Sequence, residues 1–316
     1  MPEVIGTTML KYIENRYHSQ RGVALIAALL VTAILLTLVT DFIYRMYIAS
    51  SRAGILKDSV RAGALASDGV VLAKAGLEEL LRKDSNLVMD REGLVFSKPA
   101  GAGMSIEIRA VDESGRLSLR AVYPMTGLTD PRVDKPLRKL FKDAKLEDSL
   151  AESLADWIDS DDVPRPGGAE SSQYRSGPRP YKPRNNHPET LDELLLVKGF
   201  TPDVFGAVSR YLTPYSPDGL VNINTAPKEV LAALSDEMTG ELADRIIKKR
   251  KEAPFRDRSD IMKVPGFERV GFSLQDRITT ASRTYRVFSR ASAGEVVREV
   301  EAVIQLGGGV LYWRES

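Results

Sequence analysis

The hydrophobic pattern of the first eighty residues predicts one long helix that begins in an apolar run. Residues 23–40 read VALIAALLVTAILLTLVT and contain no charged residue. A helix of that length rises about 27 Å, which is just enough to cross the hydrocarbon core of a bilayer. Apolar residues recur at helical spacing to about Arg82, and no proline occurs from Asp41 onward in this stretch. The pattern therefore predicts a membrane helix that continues outside the bilayer as a stem.

A cleaved export signal is the alternative for this apolar run, because the small residues of YIAS follow at 47–50. Such signals usually have a shorter apolar region, of about 7–15 residues, so a retained anchor is favoured. Lys11, Arg16 and Arg21 precede the run and predict a cytoplasmic N-terminus.

Alternating apolar and polar residues appear on both sides of a long helical stretch. Residues 104–124 alternate around a Glu-Ser-Gly turn and predict a hairpin, and residues 284–290 and 296–305 predict another. From Asp130 to about Ser273 the period is helical, with Pro/Gly-rich breaks. This order predicts an α+β fold with a helical domain inserted into a small antiparallel sheet. Two consecutive domains are the alternative on periodicity alone.

Composition limits the chemistry that is open to the chain. The 316 residues include 44 Lys+Arg and 43 Asp+Glu, so net charge gives no reason to expect a nucleic acid partner. The absence of cysteine excludes disulfides, zinc–thiolate sites and cysteine nucleophiles. A Ser-His-Asp triad would have to use His18 or His187, the only two histidines. No catalytic or cofactor-binding residue is therefore predicted.

An acidic loop within residues 155–174 is the strongest candidate for ligand chemistry. Four carboxylates gather there around a Pro-Gly-Gly turn: Asp159, Asp161, Asp162 and Glu170. Oxygen-rich carboxylates in an irregular loop suit calcium, which takes six to eight oxygen ligands in flexible geometry. The spacing is not that of an EF-hand, and a solvated acidic loop without an ion is the alternative.

Residues 220–267 resemble the helix-hairpin-helix of competence-type DNA-binding proteins. Thr225 is placed to cap a helix that begins near Pro227, and the KKRK run at 248–251 offers a phosphate patch. The turn between the helices, SDEMTGE, argues against DNA because it carries Asp236 and Glu237 where a phosphate would approach. Protein interaction is favoured for this region, and a membrane-anchored DNA-binding protein is the alternative function.

The start of the apolar run resembles the class III signal of type IV pilins and of the pseudopilins of type II secretion. In those families a prepilin peptidase cleaves after a glycine that follows a basic residue, and it methylates the new N-terminus. The resemblance implies cleavage between Gly22 and Val23, with Met1 or Met9 as the start of the leader. Most members carry a glutamate at the fifth position after the glycine, where this chain has Ala27. Within the pseudopilins this absence is known for the K-type minor subunit, which is assigned to the fibre tip.

Further motifs strengthen the resemblance to the K-type minor pseudopilins (general secretion pathway protein K). They are Asp-Trp-Ile-Asp followed by Gly-Ala-Glu and Tyr within 156–174, LLLVKGF at 194–200, and VNINTAP at 221–227. The helical domain of that family binds calcium, which implies that the acidic loop holds an ion. Family members usually have further acids after Gly-Ala-Glu, whereas this chain has Ser171 and Ser172.

The resemblance implies a non-enzymatic subunit with a pilin-like fold and an inserted helical domain related to sterile-alpha-motif-like and helix-hairpin-helix modules. The implied segments are a leader (1–22), a transmembrane and stem helix (23–82), the first part of the pilin-like domain (83–128), the inserted helical domain (129–276) and the returning strands (277–316). A single pass through the bacterial inner membrane would place the C-terminal domain in the periplasm. The implied partners are other minor pseudopilins and the prepilin peptidase, with no nucleic acid. The implied role is to initiate or cap the pseudopilus that serves protein export across the outer membrane.

Overall fold

The computed structural model describes residues 3–84, 93–101, 103–122, 130–177 and 179–316. Of residues 3–21 it describes the backbone alone, so the side chains of Met9 and Arg21 lie outside the described part, and Met1 lies outside it altogether. Two compact units are present, residues 1–60 and residues 61–316.

The first helix, α1, runs without interruption from Glu3 to Lys83 and confirms the predicted continuous helix. Within the first unit, the large apolar side chains from Val23 to Tyr47 are 51–70% exposed. The hydroxyls of Thr32, Thr37 and Thr40 each donate to the carbonyl four residues earlier, at 2.6–2.8 Å. Because these donors are satisfied within the helix, the threonines add little to the cost of placing it in lipid.

In the described residues beyond α1, the strands and helices are short and follow one another closely. The strands are β1 (Leu94–Gly101), β2 (Met104–Asp112), β3 (Leu117–Ser118), β4 (Leu212–Thr213), β5 (Val221–Asn222), β6 (Ile278–Thr279), β7 (Thr284–Ala293), β8 (Val296–Gln305) and β9 (Val310–Glu315). The helices are α2 (Leu119–Val122), α3 (Pro131–Asp143), α4 (Ser149–Ile158), α5 (Ser171–Arg175), α6 (Pro202–Val208), α7 (Lys228–Ala233), α8 (Gly240–Glu252) and α9 (Val270–Leu274). Short 3₁₀ helices cover Leu191–Leu196, Ser209–Tyr211 and Arg258–Lys263.

Five strands form an antiparallel sheet in the order β1-β2-β7-β8-β9. Strands β2 and β7 pair with each other, with Met104 opposite Ala293 at one end and Asp112 opposite Tyr285 at the other. The chain therefore leaves the sheet after β2 and returns beside β2 as β7. Helices α2 to α9 lie in sequence between these two strands. The pairing therefore favours a helical region inserted into the sheet rather than two consecutive domains.

The part of α1 beyond Arg61 packs on one face of this sheet. Ala66, Val70 and Leu77 of the helix are buried in one cluster with sheet residues such as Ile106 and Val287. At Gly69 a Cβ atom would come within 2.0 Å of the Ser289 hydroxyl. The stem glycine thus allows close contact between helix and sheet, which offsets its low helix propensity.

The predicted C-terminal hairpin is confirmed. Strands β7 and β8 pair from Thr284–Gln305 to Ala293–Val296, which leaves a two-residue turn of Gly294 and Glu295. Gly294 has φ +56°, in the left-handed region that such tight turns require and that glycine adopts at little cost.

The predicted first hairpin, residues 104–124, is wrong in its second arm. Both edges of β2 are taken, one by β1 and one by β7. The would-be second arm forms β3, which pairs in parallel with β4, and then α2. Leu117, Ser118 and Leu119 are all buried, so consecutive residues of this arm enter the helical core instead of alternating between core and solvent. Residues 123 and 124 of the predicted arm lie outside the described residues.

The inserted helices surround a hydrophobic core of their own. Its largest fully buried side chains include Phe141, Leu154, Ile158, Leu194 and Phe267. Asp130 caps the N-terminus of α3, because its carboxylate accepts from the backbone N–H of Arg132 at 2.9 Å. The first residue of the helix is a proline, Pro131. The segment bounds predicted for this region remain predictions.

A buried polar cluster, the joint network, links the end of β2 to the helical region and to β7. Asp112 accepts from Asn222 Nδ2 at 2.7 Å and from Thr225 Oγ1 at 2.6 Å. Glu113 is fully buried and pairs with Arg286 Nε at 2.5 Å and Arg116 Nη1 at 3.1 Å. Thr225 was predicted to cap a helix, and this prediction is wrong: α7 begins at Lys228 after Pro227, and the Thr225 hydroxyl donates to Asp112.

Candidate functional site: the acidic loop

The acidic loop, residues 159–170, joins α4 to α5. Buried Leu150, Leu154 and Ile158 fix α4 in the helical core, and Trp157 packs edge-on against Tyr174 of α5 with ring centroids 5.3 Å apart. Asp159 occupies the C-cap position of α4, and Glu170 directly precedes α5. Two anchored helices therefore hold the two ends of the loop beside each other.

Three of the four predicted ligand carboxylates converge. Oxygens of Asp159, Asp161 and Glu170 all lie within 4.8 Å of one another, with Asp159 and Glu170 buried and Asp161 exposed. Asp159 Oδ1 and both carboxylate oxygens of Glu170 are buried with no hydrogen-bond partner among the described residues. Buried carboxylate oxygens are normally satisfied by donors, so this arrangement is suited to a positively charged ligand.

Asp162, the fourth predicted ligand, lies outside this group. Its Oδ1 accepts a hydrogen bond from the backbone N–H of Ser171 at 3.2 Å. Asp162 therefore supports the start of α5 in this structure, and its assignment as a ligand remains a prediction.

The back of the loop is closed by an ion pair that the sequence reasoning did not single out. Asp156 is fully buried and accepts from Arg165 Nη1 at 2.8 Å and from the Arg165 backbone N–H at 3.1 Å. The same guanidinium contacts Asp159 Oδ2. At Gly168 a Cβ atom would come within 2.0 Å of Asp156 Oδ2, so only glycine fits there. Asp156 precedes Asp159 by one helical turn, which is the signal that marks it as part of the same cluster.

Burial and neighbouring charges make the ionised form of Glu170 unfavourable in the protein alone. Desolvation is the main cause, followed by repulsion from Asp156, Asp159, Asp162 and Asp161, and together they raise the pKa of Glu170 to about 8. Desolvation also raises the pKa of Asp156, against the lowering effect of Arg165. A cation among these oxygens would remove the repulsion, and hard oxygen ligands of this kind select calcium over softer metals.

The predicted processing site lies within α1. Gly22 and Val23 are both exposed, and among the described residues no heavy atom lies within 4 Å of a Cβ built at Gly22, apart from its chain neighbours and the nearby helix backbone. Ala27 is exposed as well, so the face on which most pilins carry a glutamate is apolar here. Among the described residues one helix, covering Gly22–Lys83, is long and apolar enough to cross a membrane.

Helices α7 and α8 form in the region that resembles a helix-hairpin-helix, but its charges do not favour a phosphate site. Asp236 and Glu237 are exposed in the turn between the helices. Arg250, in the middle of the KKRK run, turns inward and donates from Nη1 to the carbonyls of Ile223 at 2.8 Å and Ala226 at 2.7 Å. The basic run thus loses one of its four cations to a structural role.

Comparison with known proteins gives the family. Two family models match the chain, over residues 115–217 and 221–281, and both describe type II secretion system protein K. Together they cover just over half of the chain. This chain belongs to the type II secretion system protein K family. It is 26% identical over 304 residues to the type II secretion system protein K of Pseudomonas aeruginosa, covering 92% of this chain and 90% of that protein.

Further matches agree with the family. The protein K of Aeromonas hydrophila is 25% identical over 260 residues, which is 76% of this chain and 78% of that protein. A chain in the crystal structure of the GspK-GspI-GspJ complex from enterotoxigenic Escherichia coli superposes with a TM-score of 0.69 at 19% identity. It matches 86% of this chain and 99% of that chain, which confirms the pilin-like fold class. As a protein K family member the chain is a minor pseudopilin of type II secretion, and the DNA-binding alternative finds no support.

Proposed function

We propose that this chain is the subunit at the tip of the type II secretion pseudopilus, where it initiates or caps the fibre. The observation that carries the proposal is Ala27 within the exposed apolar face of α1. A carboxylate buried in a bilayer costs a few kcal/mol unless it is paired, so a fibre subunit keeps one where a neighbour's N-terminal amine meets it. A chain without that carboxylate cannot form this pairing with the N-terminal amine of a subunit above it.

Membrane attachment through α1 and a periplasmic location of the residues beyond it complete the proposal. The apolar run of 23–40 supports a single pass, and Lys11, Arg16 and Arg21 support a cytoplasmic N-terminus. The structural neighbour was solved as a complex with GspI and GspJ. That complex supports other minor pseudopilins as the partners of this chain, which then acts as a structural subunit without catalytic turnover.

Calcium is the proposed ligand of the acidic loop. The buried, unpartnered oxygens of Asp159 and Glu170 and the nearby Asp161 carboxylate support this assignment. When bound, the ion supplies positive charge that cancels the repulsion among these carboxylates. It would hold α4 and α5 in their observed positions and keep the loop ordered.

Processing is tested by mass spectrometry of the chain purified from a host with an active prepilin peptidase. The expected product begins at Val23 and carries one methyl group on its N-terminal amine. Gly22→Leu should retain the leader, because the peptidase needs the small residue before the cleaved bond. An intact Met1 or Met9 N-terminus in the unsubstituted chain would contradict the pseudopilin assignment.

The tip position is tested by cross-linking, which the absence of native cysteines makes simple. Ala27→Cys, combined with single cysteines in the apolar helices of the other minor pseudopilins, should give one-to-one cross-links with those subunits. Ala28→Cys, on another face of the helix, is the matched control. A ladder of self-linked Ala27→Cys chains would show a repeating subunit of the fibre body and would overturn the tip proposal.

A further inference from the structure

A polar cavity on the helical region lies apart from the acidic loop. Its volume is about 250 Å³, and it is bounded by Lys135 of α3, the turn after α7, Ser273 of α9 and Arg277. The turn contributes Ser235, Asp236 and Glu237 to the cavity wall. No role described above uses these side chains.

Two residues that line this cavity carry buried hydrogen-bond donors without a partner. Ser235 Oγ and Arg277 Nε have no hydrogen-bond partner among the described residues. Arg277 Nη1 donates to the Leu234 carbonyl at 2.7 Å, which holds the guanidinium in place. Asp276 Oδ1 forms an ion pair with Nε at 3.9 Å, which is beyond hydrogen-bond distance. Leaving a buried donor unpaired is unfavourable, so two such donors on residues of one cavity point to a ligand.

We propose that this cavity binds a carboxylate group. Arg277 Nε and Ser235 Oγ can donate to its oxygens, and Lys135, which forms no ion pair with another described residue, adds a positive charge at the same wall. Hydrogen bonds between a guanidinium and a carboxylate are the strong, charge-assisted kind, and a cavity of this size accommodates a side-chain or terminal carboxylate.

The acidic residues of the same cavity narrow the ligand class. Asp236 and Glu237 are exposed and line the cavity beside the donors. They disfavour a doubly charged anion such as phosphate and favour a positive charge next to the bound carboxylate. The ligand that fits is therefore a monocarboxylate flanked by a cation, such as an aspartate followed by a lysine in a partner protein.

The pocket is tested by NMR of the full-length chain in detergent micelles with calcium present and ¹⁵N-labelled arginine. The Nε–Hε signal of Arg277 is identified as the one lost in Arg277→Lys. Acetate, added at constant ionic strength against chloride, should shift this signal saturably. Ser235→Ala should weaken the acetate affinity about tenfold, as loss of one hydrogen bond to a charged group does. Lys135→Gln should also weaken it, whereas Lys142→Gln, an exposed control on the same helix, should not.

Peptides with both ends blocked identify the source of the carboxylate. A peptide with Asp-Lys at its centre should bind more tightly than acetate, and an Asn-Lys peptide should not bind. Saturable binding of acetate with neither peptide bound keeps the carboxylate site and assigns it to a small free acid. Tighter binding of inorganic phosphate than of acetate, or an acetate response unchanged in Ser235→Ala, would overturn the proposal.

Discussion

The protein buries carboxylates in the joint network and in the acidic loop, and the two sites differ in the hydrogen-bond donors that surround them. In the joint network, Asp112 accepts from Asn222 and Thr225, and buried Glu113 pairs with arginines. In the acidic loop, Glu170 has two buried oxygens without any partner among the described residues. The chain supplies donors to both carboxylates of the first site, whereas at the second site Arg165 donates to Asp156 and Asp159 and no described donor reaches the Glu170 carboxylate. The missing donors therefore support the proposed ligand site in the acidic loop, whereas the joint network is a closed structural element.

Arg286→Met should have the largest effect, because it breaks the joint network from within. Arg286 pairs with both Glu113 and Glu301, and its side chain is only 12% exposed. Removing one partner of a buried pair costs about 3–5 kcal/mol. Chemical denaturation followed by circular dichroism should show that loss with and without calcium.

Arg314→Met is the matched control for this variant. Arg314 also pairs with Glu301, at 2.6 Å, but its side chain is 60% exposed. Its loss should change the free energy of unfolding by about 1 kcal/mol or less, as for other exposed pairs. Equal losses in the two variants would contradict the view that burial makes the joint network strong.

Removing calcium should have the next largest effect, and only through the acidic loop. With calcium at about 100 times its dissociation constant, a chelator should lower the free energy of unfolding by about 2.7 kcal/mol. Glu170→Gln should abolish this response. The same variant should be more stable than the unsubstituted chain when both lack calcium, because it removes a repelled carboxylate.

Glu295→Gln, in the exposed turn between β7 and β8, is the control for the chelation experiment and should respond to the chelator like the unsubstituted chain. A melting midpoint that chelator leaves unchanged in the unsubstituted chain would mean that the acidic loop holds no stabilising ion.

The pH dependence separates the two sites further. The pKa of Glu170 is about 8 in the folded protein, above its usual 4.5, so between these values the folded state binds more protons than the unfolded state. Stability without calcium should therefore fall as pH rises from about 5 to 8. Melting temperatures of Glu170→Gln, measured over the same range, should lack this fall, and calcium affinity should rise with pH because the bound carboxylate is ionised. The same slope in both proteins would contradict a Glu170 origin.

The smallest expected effect is that of Asp162→Asn on calcium binding, and comparison with Asp159→Asn separates the roles of these two acids. Asp162→Asn should change the calcium dissociation constant by less than about threefold, since Asp162 already accepts from Ser171 and lies outside the convergent group. Asp159→Asn should weaken binding by more than about tenfold, because it removes charge from a buried oxygen beside Glu170. Isothermal titration with calcium measures both dissociation constants, and the reverse order would show that Asp162 contributes more to calcium binding than Asp159 does.

Much of the fold follows from local pattern. The helical period of α1 and the alternation of β7 and β8 around Gly294 predicted those elements, because each pattern is contained in neighbouring residues. The first hairpin failed for a nonlocal reason. Both edges of β2 are occupied, one of them by β7 from far along the chain, and no local signal in 104–124 carries that information.

In the acidic loop, too, some features follow from the local sequence and others depend on the folded chain. The clustered carboxylates and the resemblance to the K-type family identified the stretch, and the structure brings together Asp159, Asp161 and Glu170. The ion pair between Asp156 and Arg165 and the hydrogen bond from Ser171 to Asp162 depend on the folded path of the loop. Sequence spacing does not define that path, so it could not separate the acids that converge from those that do not.

The pairing of β2 with β7 also has a consequence for the order of folding. Strand β2 is synthesised early, yet its partner lies beyond the whole helical region, and the closure of such long loops is slow. The helices have nearer partners and their own core. We expect them to be protected first in pulsed hydrogen exchange, with the amides of β2 and β7 protected together and late. Until then β2 lacks the partner for one of its edges, so the newly synthesised chain passes through a stage in which it is vulnerable to edge-to-edge aggregation.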